Sequence, residues 1–290
     1  SAGTVWFNTT SGTLKVYRNI GAFSAGGALN VAGQNIVGFG TKTAALAGTG
    51  YGPSNNTTGR DVECEEYNGT AWTASNDMSE AKITSGSAGT AQTAGLLFGG
   101  SDNGSNANRS VESFEYDGTN WAAAGDLNNA VIESQGCGSQ TAALRVGGYD
   151  GGGYSNKTEE YDGSSWTNKN NLATARAVAM VCGTTNWASG GALSASRSNC
   201  HSHGGIQTDA IVAGGYDSDT TYLSSSEIYN GTAWSSGATI ARARRNTMFC
   251  GLSAASAGGL CFGGGIADGT TYTDTDEYTV STTARTVTDS

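Results

Sequence analysis

Short apolar runs that end in a glycine pair recur along the chain. LLFGG closes at Gly100, LRVGG at Gly148, IVAGG at Gly215 and LCFGG at Gly264. Each is too short for a helix and reads as a buried strand. A tyrosine follows each pair after 13 to 16 polar-rich residues, at Tyr116, Tyr161, Tyr229 and Tyr278. Four strings then set a tryptophan five residues beyond a tyrosine: Tyr67 and Trp72, Tyr116 and Trp121, Tyr161 and Trp166, Tyr229 and Trp234. Asn-Gly or Asp-Gly lies between the two aromatics, and these residues accept positive φ, so a hairpin is predicted there. An apolar residue stands six positions past each Trp, at Met78, Leu127, Leu172 and Ile240. Small-residue runs such as SGSAGT and GCGSQT precede the apolar runs. Each unit therefore reads as four short strands: small-residue, apolar, Tyr-ending and Trp-starting.

The units count out a ring. The aromatic markers fall at 23, 72, 121, 166 and 234, with Thr283 as a degenerate sixth. Most steps are 45 to 49 residues, near the period of propeller repeats, and a lone sheet of this kind buries both faces only against neighbours packed radially around an axis. Six blades is the expected number, with five and seven as alternatives. Tyr17, Phe23 and Leu29 read as a weaker first copy, which gives a partial N-terminal blade over 1–30. Repeats then fill 31–283. The long step from Trp166 to Trp234 contains an extra marker, Trp187, which suggests a truncated unit at 167–186; the rival is a loop insertion. The tail at 284–290 is expected to supply the missing strand of the first blade, closing a single domain over 1–290.

Composition narrows the function classes. Glycine accounts for 45 of 290 residues and proline for one, and helix formers other than Ala are thin. No stretch has the length and apolarity to span a bilayer as a helix. A net charge of −10 sets nucleic-acid binding against the chain's own field. Six cysteines are too few for a disulfide scaffold, and Cys137, Cys182 and Cys250 read as small buried side chains.

The order Gly-Gly, Tyr, Trp in FGGSDNGSNANRSVESFEYDGTNW and its copies resembles kelch-repeat β-propellers. The opening GTVWFNTTSGTLKVY and the string EEYDGSSW are similar in style to the kelch-like repeats of marine phage tail-fibre and other virion proteins. The resemblance implies an all-β propeller with a structural or binding role on a virion surface.

Candidate chemistry concentrates in the loops between second and third strands. These cover 49–61, 101–110, 149–157, 216–224 and 265–273. Six of the twelve tyrosines hold the third-strand position, and the other six, Tyr51, Tyr149, Tyr154, Tyr216, Tyr222 and Tyr272, lie in or beside the loops. Tyr faces stack on sugar rings and Asp bonds hydroxyls, so these tyrosines with Asp150 and Asp217 form the candidate binding set. Trp72, Trp121, Trp166 and Trp234 are expected to pack between blades, at ~3–5 kcal/mol each on truncation. Glu66, Glu115, Glu160 and Glu277 recur directly before the Tyr, which points to a structural hydrogen bond.

Metal readings are thin. His201 and His203 flank Ser202 beside Cys200 and could hold a transition metal. The Asp217/Asp219 and Asp274/Asp276 pairs suit calcium but lack the flanking ligands of a known loop. No cofactor is expected. Galactose-oxidase-like copper sites need separated histidines, whereas both histidines here share one tripeptide. No arginine triad or Ser/His/Asp set is assignable. The expected function is a non-enzymatic, extracellular virion or tail-fibre component that presents its loop face to a host glycan or another virion protein, with homo-oligomers such as trimers left open. The alternatives are a secreted or cell-surface bacterial kelch adhesin and, further off, a glycan-active enzyme.

Overall fold

The computed structural model describes residues 5–52, 60–102, 107–177, 191–200, 209–217, 221–251, 258–267 and 269–286. β1 (Val5–Asn8) and β2 (Thr13–Ala25) open the chain. The first complete blade is β3 (Val37–Thr41), β4 (Ala44–Tyr51), β5 (Arg60–Tyr67) and β6 (Trp72–Ala74). The second is β7 (Gly86–Ala91), β8 (Ala94–Phe98), β9 (Ser113–Tyr116) and β10 (Trp121–Ala123). The third is β11 (Gln135–Ser139), β12 (Ala142–Val146), β13 (Thr158–Tyr161) and β14 (Trp166–Asn168). The fourth shows β15 (Ala210–Ala213), β16 (Ser226–Tyr229) and β17 (Trp234–Ser236). The fifth holds β18 (Met248–Gly251), β19 (Gly259–Phe262) and β20 (Thr275–Thr286), with β2 and β1 added outside β20. All pairings within the blades are antiparallel, and the chain is a five-bladed β-propeller.

The expected six blades become five because two sequence markers belong to one blade. β2 pairs β20 with Phe23 opposite Tyr278, the register that Tyr67 keeps with Trp72 and Tyr116 with Trp121. The Phe23 and Tyr278 ring centroids lie 4.9 Å apart, against 5.0 Å for Tyr67 and Trp72. Phe23 is thus the missing outer aromatic of the last blade, and counting it as its own unit counted that blade twice. Both terminal segments do lie in one sheet, but in different roles from those expected. The N-terminal strand is outermost in the blade, and 275–286 is one continuous third strand rather than a separate innermost piece. Tyr17 falls opposite Ala284, outside the third-strand position assigned to it. Within the span read as a truncated unit, 166–168 is the ordinary outer strand of the third blade, and Arg176 joins the link out of it; residues 178–190, including Cys182 and Trp187, lie outside the described residues.

Local chemistry explains the turns. The four residues between Tyr and Trp close a hairpin in which the first side chain accepts two backbone N–H groups. Asp117 Oδ1 accepts from Thr119 at 2.8 Å and Asn120 at 2.7 Å, and Asn68 repeats the pattern with Thr70 and Ala71. The glycine pairs are left-handed at both residues, Gly147 at φ 61° and Gly148 at φ 103°, which turns the chain out of the second strand. The second amide then bonds the link that leaves the blade, as Gly148 N–H does to the Arg176 carbonyl at 2.9 Å.

Blades pack through their aromatics. Trp72 lies 5.0 Å from Phe262 of the fifth blade, and Trp166 lies 4.9 Å from Phe98 of the second. Trp121 packs 6.1 Å from Phe39 and remains partly exposed, while Trp234 donates to the Gly191 carbonyl at 3.1 Å. The recurring acids take the structural role expected of them at three positions. Tyr67, Tyr116 and Tyr161 donate to Glu277, Glu66 and Glu115 of the preceding blade at 2.7, 2.7 and 2.8 Å. A second carboxylate, two residues before the Tyr, accepts from the link entering its blade: Glu65 from the Asn30 and Val31 amides, Glu159 from the Asn128 amide. Cys137 and Cys250 are buried small side chains.

Candidate binding face

The link into each blade and the loop after its second strand meet on one face, because turns alternate between the two ends of an antiparallel blade. The same two-step ladder marks this face in four blades: Ile83 to Ser101 to Arg109, Ile132 to Tyr149 to Tyr154, Ser198 to Tyr216 to Tyr222, and Arg245 to Gly265 to Thr271. In the first blade Gln34 pairs Tyr51. All six loop tyrosines therefore stand on or beside one face, as the loop assignment implies. They do not converge on a single pocket. Tyr149 and Tyr154 pack edge to face at 6.4 Å, with Tyr154 67% exposed. Tyr216 lies under the Arg245 guanidinium at 5.5 Å, and Tyr272 under Arg242 at 4.6 Å. Tyr222 Oη accepts from the Ala267 amide at 2.6 Å, joining the fourth and fifth blades. Tyr51 is 40% exposed at the end of β4.

The two acids of the set are engaged locally. Asp150 pairs with Lys157 at 3.2 Å and accepts from the Gly152 amide, and its carboxyl is held below the usual range: burial opposes the shift, and the Lys157 and Gly152 hydrogen bonds outweigh it. Asp217 accepts from Thr221 N–H at 3.0 Å, which closes the loop on itself.

A second feature of this face escaped the sequence reading. Among the described residues, six non-glycine positions have positive φ; four of them stand two residues before an innermost strand, and a fifth, Asn199, stands at the matching place in the link into the fourth blade. The five are Asn35 (53°), Thr84 (58°), Glu133 (56°), Asn199 (51°) and Asn246 (55°). Backbone bonds link neighbours around the axis: Asn35 N–H to the Asn246 carbonyl at 3.2 Å, Asn246 N–H to Asn199 at 2.8 Å, and Glu133 N–H to Thr84 at 2.8 Å. With Ser85, Ser134 and Gln135 they line a cavity of about 70 Å³ to which every blade contributes. Burial pushes the Glu133 carboxyl above its ordinary pKa. The sequence signal is faint. Asn, which tolerates the left-handed region best among these residues, fills three of the five positions, but Thr84 and Glu133 break the pattern.

Beneath the face lies a layer of buried cations. Lys82, Arg197 and Arg244 each stand two residues before a ring residue. Arg197 meets Glu227 at 3.0 Å, Arg244 meets Asp276 at 2.8 Å, and Lys82 holds Glu112, Asp102 and Glu80. Burial lowers the Lys82 pKa, but hydrogen bonds from its ammonium to Asp102 and Glu112 outweigh burial and raise it. The three carboxylates gathered there share Lys82 as a common ion-pair partner. Asp274 and Asp276, read as a calcium pair, turn instead to Arg242 and Arg244 at 2.8 Å each. His201, His203 and Asp219 lie outside the described residues.

No protein-family model matches the chain, and no curated protein is similar to it. Among solved structures, the one titled "Structure of YjhT" is similar at a TM-score of 0.70 and 12% identity, covering 90% of this chain and 100% of that one. At that identity the likeness establishes the propeller fold alone.

Proposed function

We propose that the protein is a non-catalytic recognition domain, a kelch-like propeller of a virion surface or tail fibre, whose loop face binds a host-surface glycan. The observation that carries this reading is the Tyr149–Tyr154 pair. A phenol ring two-thirds exposed costs apolar surface in water, and here its neighbour holds it edge to face. A ring offered in that way suits stacking on a sugar, with Asp150 beside it to accept hydroxyls. The acidic net charge of −10 favours a neutral or hydroxyl-rich partner over a polyanion. An adhesin on a bacterial surface would use the same face, and the two differ only in what carries the domain.

The test is a glycan array and whole-cell screen of the purified chain, with recovery of the bound sugar. Saturable binding with the sugar returned intact is the expected result. Cleaved or rearranged sugar would replace the reading with an enzymatic one, and absence of binding across array and cells would remove it.

A further inference from the structure

We infer that the axial ring is a binding site for a hard, oxygen-seeking cation, held where the five links meet. Every side chain lining the cavity ends in oxygen or offers one: three asparagines, Gln135, Thr84, Ser85, Ser134 and Glu133. No basic, apolar or sulfur-bearing side chain is among them. Oxygen-only sets of carboxylate, amide and hydroxyl groups are the donors that calcium and similar hard cations take. Glu133 brings a single negative charge, and no ion pair meets it among the described residues, whereas acids below the face pair with Lys82, Arg197 and Arg244.

Two further observations point to an occupant. Ser134 is 0% exposed, lines the cavity, and its Oγ has no hydrogen-bond partner in the protein. A fully buried hydroxyl is normally satisfied, so this one beside a polar cavity leaves a hydrogen-bonding group for an occupant. The left-handed backbone at five equivalent non-glycine positions is costly, and such conformations gather at ligand-holding sites. The N–H groups of Asn35, Glu133 and Asn246 turn to neighbouring carbonyls around the ring. About 70 Å³ accommodates an ion with a water or two, and is too small for a sugar ring. With one carboxylate the site belongs to the weak class of calcium sites, Kd of about 10⁻⁴–10⁻³ M. The inference stands independently of the glycan reading.

Calcium chloride titrated calorimetrically into the purified full chain tests it, with Glu133→Gln, Glu133→Gly and Glu160→Gln alongside. Glycine accepts the left-handed backbone, so Glu133→Gly removes the carboxylate without adding strain should the glutamine variant fold poorly. The expected result is one saturable site in the native chain and in Glu160→Gln, weakened at least about tenfold in both Glu133 variants as their melting profiles stay cooperative. Absence of saturable uptake up to about 10 mM calcium, or uptake unchanged in the Glu133 variants, would overturn it.

Discussion

At the scale of single residues, the axial ring is where local preference and tertiary demand disagree most. Thr84 is β-branched and yet sits at φ 58°, and Asn35 sits at 53° with its amide bonded to the next link. Asparagine softens that cost but does not abolish it. Replacing Asn35 by glycine is expected to leave the melting temperature unchanged or slightly raised, while Asn35→Ala lowers stability by about 1–2 kcal/mol. Chemical denaturation of the two variants side by side checks this, and equal stabilities would show that backbone strain is not what distinguishes the position. Phe23 is the other instructive residue. Its role as an outer aromatic was hidden because its partner, Tyr278, lies at the far end of the sequence.

At the scale of elements, blades are joined by hydrogen bonds that cross from one sheet to the next. Tyr116 donates to Glu66 and meets Ser75 at 2.6 Å, so Tyr116→Phe strands two polar partners and is expected to cost about 1–2 kcal/mol. The same contacts set a pH dependence. Burial, with a further push from the neighbouring carboxylates, raises the phenols of Tyr67, Tyr116 and Tyr161 from 10.0 to about 12. A group whose pKa rises on folding stabilises the native state fully below its unfolded value and loses that contribution as pH climbs to the folded one. Stability is therefore predicted to fall between pH 10.0 and about 12, and less steeply in Tyr116→Phe. Melting curves across that range measure it; a native chain with constant stability there would contradict the assignment. These contacts were legible in sequence as recurring Glu-Tyr pairs, since a residue repeated in each copy is held by the packing of the copies. The carboxylates two residues before the Tyr went unread, because Glu65, Glu159, Glu227 and Asp276 recur without Phe114 at the matching place, and their partners are backbone amides that no side-chain pattern announces.

At the scale of the whole molecule, the fold was open to reading and its count was not. Apolar runs, glycine pairs and Asn-Gly or Asp-Gly turns specify the blade, and radial packing follows from sheets with two faces to bury. The number of blades depends on which terminal strands share a sheet, a long-range pairing that spacing along the chain does not encode. β2 lying against β20 settles it at five. The binding face was legible as a set of loops but not as geometry. The tyrosines share one face without sharing one pocket, and the axial cavity between them is built from backbone conformation. On the proposed function, this face contacts the partner and the hairpin turns at the opposite end do not. The most direct test is the affinity of a ligand found in the screen for the native chain, for Tyr154→Ala and for Thr70→Ala, an exposed residue in a turn of the opposite face. The prediction is a loss of about tenfold or more in Tyr154→Ala, in keeping with the more than ~1 kcal/mol that truncating an aromatic anchor of a binding surface costs, with native affinity in Thr70→Ala and unchanged melting in both. Native affinity in Tyr154→Ala together with weakened binding in Thr70→Ala would contradict the claim.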